Sequence, residues 1–132
     1  MLPKIKGTLL PAPPFPEFSF DEVLGYHDGP RILLERDESG QLYLVWWSDA
    51  DMEMERWICL PLSEARLRAI FSGEIAPRDA MENPEGGYLL AIEFDLTTDA
   101  APWAIKTTAA AFPQDALPHP EAHLRKPTPA SV

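Results

Sequence analysis

The stretch RILLERDESGQLYLVWW, residues 31–47, sets two apolar runs on either side of Asp37, Glu38, Ser39 and Gly40. A short polar loop with glycine at its end suits a type I turn closed by a left-handed residue, because glycine alone takes positive φ without steric cost. The segment therefore reads as a β-hairpin. Its second arm limits the fold further. Side chains alternate along a strand, so Leu42, Leu44 and Trp46 point one way and Tyr43, Val45 and Trp47 the other. Both faces are apolar, so the strand sits centrally or the sheet is covered on both sides. Trp46 and Trp47 cannot share one core, so a helix, a proline-rich end or a partner must shelter one of them.

The other elements follow from changes of period. FSFDEVLGYHDGP, from Phe18, reads as a first strand ending at a Gly-Pro turn, and RWICLPL at 56–62 as another. Ser63 then caps a helix over 63–72 whose Leu67, Ile70 and Phe71 share a face, with Leu62 as a staple against Leu67 and Gly73 as the left-handed stop. A shorter helix over 77–83 opens at Pro77 and stops at Asn83 and Pro84. In GGYLLAIEFD, strict alternation places Tyr88, Leu90, Ile92 and Phe94 on one face of a strand. PWAIKTTAAAF fits either a strand or a short helix. The expected fold is α+β, an antiparallel sheet of about four to six strands packed on the main helix.

Proline sets the expected limits. Of the 15 prolines, five precede residue 17 and six follow residue 100. Residues 1–16 read as a stiffened N-terminal arm, 17–112 as one α+β domain, and 113–132 as a proline-rich tail laid over the surface or left free.

Charge and cysteine narrow the partners. The chain carries −10, and residues 17–95 alone carry −12. Such a body repels phosphate backbones and anionic lipid, so direct nucleic-acid or membrane binding is not expected. Cys59 is the one cysteine, which rules out an intrachain disulfide. With no signal-peptide pattern at the start, a cytoplasmic location is expected.

The search for chemistry returns little. SDADMEMERW, residues 48–57, puts Asp49, Asp51, Glu53 and Glu55 at alternate positions, all on one side if extended. As a calcium loop counted from Asp49, it has Met54 where a glycine belongs and Leu60 where the closing glutamate belongs. An exposed connection between strands explains it better. His119 and His123 lie four apart, but Pro118 and Pro120 bracket the first and a third zinc ligand is missing. Cys59 with His27 and Asp28 could be arranged as nucleophile, base and orienting group, yet a lone cysteine in an apolar strand is usually a small buried hydrophobe. Gly86 and Gly87 precede a strand and so do not form a phosphate loop. No metal and no cofactor are expected.

YHDGPRI at 26–32, GQLYLV at 40–45, SEARLRAIFSGEIAPRDAM at 63–81 and DALP at 115–118 resemble a family of small bacterial proteins of uncharacterised function. That resemblance implies an α+β domain of cytoplasmic, bacterial origin and brings no catalytic residues with it. The expected function is a non-enzymatic protein-interaction module of regulatory, immunity-type or accessory kind. Tyr43, Trp46, Trp47 and Trp57 would supply its interface to another protein or a second copy. The alternatives are a small hydrolase using His27, Asp28 or the acidic loop, and an acidic mimic of nucleic acid.

Overall fold

The computed structural model describes residues 4–10, 22–26 and 30–124. Among them, seven strands form one antiparallel sheet. They are β1 (Thr8–Leu10), β2 (Glu22–Tyr26), β3 (Pro30–Arg36), β4 (Leu42–Ala50), β5 (Met54–Leu62), β6 (Leu89–Asp95) and β7 (Trp103–Thr107). Their spatial order is β1-β7-β6-β5-β4-β3-β2. From β2 to β7 each strand pairs with its neighbour in sequence, and β1 adds to the outer edge of β7. Helices α1 (Glu64–Phe71) and α2 (Pro77–Glu82) connect β5 to β6. The fold is α+β, and the sheet exceeds the expected strand count because of β1. This strand lies in the proline-rich head, where three residues are too few to show alternation.

The hairpin of β3 and β4 forms as its sequence demands. Gly40 has φ +88°, its N–H donates to the Asp37 carbonyl at 3.0 Å, and Asp37 N–H donates to the Gln41 carbonyl at 3.1 Å. Asp37 Oδ1 also accepts the N–H groups of Ser39 and Gln41. Helix α1 starts where Ser63 Oγ accepts the Arg66 N–H at 3.1 Å and ends just before Gly73, at φ +84°. Pro77 opens α2, where its missing N–H costs nothing, and Asn83 closes it. Ambiguous PWAIKTTAAAF contains both alternatives, since β7 runs directly into a 3-10 turn at Ala109–Ala111.

Both faces of the sheet are buried. Leu42, Leu44, Ile58, Leu60, Leu89, Ala91 and Ile105 form one core with Ile70 of α1 and Ala80 and Met81 of α2. Leu33, Tyr43, Val45, Trp57, Cys59, Leu90, Ile92 and Ala104 form a second core on the opposite face. Trp46 packs on the helix-side core and Trp47 on the second, so the two indoles do look in opposite directions. Leu44 and Val45, adjacent in sequence, are each 0% exposed.

The proline-rich ends are more than an arm and a tail. Ile5, from the head, is buried in the helix-side core, and the Thr107 hydroxyl donates to the Lys6 carbonyl. Leu117 and Leu124, from the segment expected to lie over the surface or free, are buried in the same core. Arg78 of α2 holds that segment by donating to the carbonyls of Gln114 and Pro118, each at 3.2 Å. Limits drawn at 17 and 112 therefore cut through the packed body. Among the described prolines of the tail, Pro118 is buried and Pro113 half-buried, an outcome proline's fixed φ allows as readily as exposure.

Candidate functional site

The acidic stretch that opened the question of chemistry is a hairpin tip. Asp51 N–H donates to the Met54 carbonyl at 2.9 Å, and Asp51 Oδ1 accepts the N–H groups of Glu53 and Met54, each at 2.8 Å. β4 also carries a bulge, because Trp47 pairs with Trp57 but Asp49 pairs with Arg56, leaving Ser48 as the extra residue. The bulge and the turn together undo the simple alternation. Asp49 faces the helix side with Arg56, whereas Glu55, paired with Phe94, faces the second core and accepts Trp57 Nε1–H at 2.7 Å. The four carboxylates therefore do not share one side, as they would in a fully extended segment, and residues 51–53 form the connection between β4 and β5. Among the described residues, no cluster of His, Cys, Asp and Glu could hold a metal ion.

Backbone donors at Glu53 and then Met54 pull the Asp51 carboxyl from 3.8 to about 2. Because the folded value lies below the unfolded one, this contribution is fully present above pH 3.8 and disappears as pH falls through about 2. Amide exchange at Glu53 and Met54 should therefore accelerate across that acid window. Asp51→Asn, which accepts the same bonds without titrating, should flatten the change. An identical pH profile in both proteins would show that another group governs the tip.

One strand register further on, the helix side carries a buried charge network. Arg56 donates from Nε and Nη2 to Glu93 Oε2 at 2.8 and 2.6 Å, and from Nη1 to Asp49 Oδ2 at 3.5 Å. Glu93 Oε1 accepts Trp103 Nε1–H at 2.8 Å. The Arg56 and Glu93 side chains are 2% and 9% exposed. Strand pairing positions all three, since Arg56 sits opposite Glu93 and Glu93 opposite Trp103 on three adjacent strands. α1 and α2 do not cover this end of the sheet, and a recess of about 360 Å³ opens there. Ile5, Met54, Trp103 and Ile105 supply its apolar wall, with Lys4, Glu53, Arg56 and Glu93 around them.

Two apolar side chains next in the chain to, or tied by backbone to, residues at this end of the sheet are exposed. Met52, at the hairpin tip, is 93% exposed and Leu96, after β6, is 51% exposed. The Leu96 N–H donates to the Glu53 carbonyl at 2.7 Å, which fastens the turn after β6 to the hairpin tip. Sequence reading missed this constellation. Its only sign was an arginine and a glutamate at otherwise apolar positions of two strands, Arg56 before Trp57 and Glu93 after Ile92.

The residues singled out from sequence do not form one surface. Tyr43 and Trp57 are buried, while Trp46 and Trp47 are half-buried on opposite faces. Tyr43 donates its hydroxyl to Asp37 Oδ2 at 2.9 Å, so its polar end is satisfied within the chain. Burial, and then the charge of Glu35, pushes the Cys59 thiol well above its usual range, which is the reverse of what a nucleophile needs. His27 and Asp28 lie outside the described residues. His119 Nδ1 accepts the Glu121 N–H at 3.1 Å, a local turn contact.

A second concavity, of about 470 Å³, lies at the opposite end of the sheet against Gln41, Ser63, Glu64 and Glu85. Its polar groups are committed. Glu85 accepts both the Ser63 N–H at 2.8 Å and the Ser63 hydroxyl at 2.9 Å, so the cap of α1 is itself held from the α2–β6 loop. Gln41 Nε2 donates to the carbonyls of Leu42 and Leu62.

These features define a class, an antiparallel meander sheet with two short helices on one face and a charge-floored recess at the end they leave open. The chain belongs to DUF6575, a family of unknown function, whose model matches residues 10–109. No curated protein and no solved structure matches it. Ile5, Phe112, Leu117 and Leu124, all buried in the helix-side core, lie beyond the matched span. Among the described residues, no helix is long and apolar enough to cross a membrane.

Proposed function

We propose that this protein is a non-enzymatic protein-interaction module acting in the bacterial cytoplasm. The observation that carries the reading is the recess at the hairpin end of the sheet, with Met52 and Leu96 exposed at the same end. A concavity walled by Ile5, Met54, Trp103 and Ile105 is a common form of recognition surface, and methionine adapts its shape to a partner at little cost. The bacterial, cytoplasmic setting is supported by the family resemblance and the absence of any cysteine besides Cys59.

A photo-crosslinking amino acid placed at Met52 in cells of origin tests this. A discrete protein adduct should form from Met52 and not from Glu74, which is exposed on the loop after α1. The adduct should weaken when Leu96→Ser removes the neighbouring apolar group. Equal, diffuse labelling from both positions would overturn the proposal.

A further inference from the structure

We infer that the recess takes a short cationic-apolar segment of a partner protein, an aliphatic or aromatic anchor seated against Met54, Trp103 and Ile105 with an adjacent lysine or arginine at the rim. This rests on reading the recess as a binding site, and it adds the chemistry of the occupant.

The wall favours an apolar anchor. Ile5, Met54, Trp103 and Ile105 offer hydrocarbon and one indole face, and the indole N–H is already given to Glu93. The floor gives an anion little to grip, because Nε, Nη1 and Nη2 of Arg56 all donate to carboxylates within the chain. A carboxylate or phosphate entering here would compete with Glu93 and Asp49 for the same guanidinium.

The rim has the opposite preference. Asp51 and Glu53 stand at the hairpin tip, and Asp95, paired with Met54, stands on the same side as Arg56 and Glu93. Against them the recess has the exposed Lys4. Hydrogen bonds from Thr97 hold the Asp95 carboxyl below its ordinary range, as backbone donors do for Asp51, so both keep their charge through mild acid. The −12 carried by residues 17–95 adds a long-range field that steers a basic segment toward this body and repels an acidic one.

The occupant is a peptide segment in preference to a metal ion. The rim carboxylates accept backbone hydrogen bonds in their own turns, Asp51 from Glu53 and Met54 and Asp95 from Thr97, which spends oxygens a hard cation would need. A lysine or arginine instead needs only one or two acceptors, and its hydrocarbon stem can lie along the exposed Met52 and Leu96.

Selection of peptides from a random displayed library against the full chain, followed by fluorescence anisotropy at low and high salt, tests this. Enriched peptides should pair a large apolar residue with Lys or Arg. Their affinity should fall with added salt, and by roughly tenfold with Glu53→Lys, an exposed site whose reversal places like charge at the rim. Met54→Ala should weaken the same peptides without changing the urea midpoint by much, since Met54 is half-buried at a strand end. Enriched peptides without basic residues, weakened by Met54→Ala yet indifferent to Glu53→Lys and to salt, would overturn the cationic assignment and leave the interaction module standing. Peptides indifferent to both substitutions, or no enrichment at all, would overturn both.

Discussion

Glu93→Ala is expected to destabilise the protein by about 3–5 kcal/mol, more than any single contact at the recess would suggest. The reason lies in what is left behind. Arg56 is 2% exposed and cannot lose its proton, so deleting Glu93 removes the bonds at 2.8 and 2.6 Å from a buried permanent charge and leaves it the longer contact to Asp49. Trp103 Nε1–H loses its acceptor in the same step, at a further cost of about 1 kcal/mol. Replacing both partners removes the buried guanidinium. The double variant Arg56→Met with Glu93→Leu should be less destabilised than Glu93→Ala, by about 1–4 kcal/mol, because an apolar pair of similar volume fills the space, although Trp103 Nε1–H and Asp49 still lose their partners. Urea denaturation with an unchanged slope reads both effects. If Glu93→Ala costs less than about 1 kcal/mol, water entering through the recess is hydrating Arg56, and the floor is wetter than its accessibility indicates.

How much of this was legible in the sequence depends on range. The β3–β4 hairpin, the Ser63 cap, the Pro77 start and the left-handed Gly40 and Gly73 are each written in a few consecutive residues, and each forms where its local chemistry places it. Division of Trp46 and Trp47 between two cores was also legible, because alternation is a property of the strand itself. Contacts between distant segments were not. Glu85 reaches Ser63 from the far side of α2, and Arg56 meets Glu93 only because β5 and β6 pair in one particular register. A shift of one residue would have sent Glu93 to the opposite face, and no local pattern sets that register.

Two departures share a cause. Proline density suggested a stiffened arm and a tail laid over the surface or left free, yet Ile5, Leu117 and Leu124 are buried in the core, since proline restricts the backbone without saying what its neighbours touch. Regular spacing of Asp49, Asp51, Glu53 and Glu55 would give one acidic face only in an extended segment, and the bulge at Ser48 and the Asp51 turn divert it. In both cases a composition signal was converted into geometry by a feature that composition does not encode. The candidate site inherits the same difficulty, because its parts come from the head, the β4–β5 hairpin, β6 and β7.

The other large effect tests the sheet itself. Leu44→Asp and Val45→Asp are expected to be almost equally damaging, each removing at least about 4 kcal/mol, which is most of the stability of a typical small domain. In a sheet with one wet face, only one of two successive residues faces a core, and the other tolerates a carboxylate. Here both positions are 0% exposed, Leu44 toward Leu34, Leu60 and the helices, Val45 toward Leu33, Cys59 and Tyr43. Each substitution loses about 1.5–3 kcal/mol of apolar transfer and adds the cost of a carboxyl group with nowhere to ionise. Since an aspartate variant can fail to fold at all, Leu44→Ala and Val45→Thr provide measurable counterparts, expected to cost about 2–5 and about 1–3 kcal/mol by urea denaturation. Near-parental stability for Val45→Thr, with Leu44→Ala strongly destabilised, would mean that the second face takes up water in solution and that Cys59, Leu90 and Ile92 are less sheltered than their burial indicates.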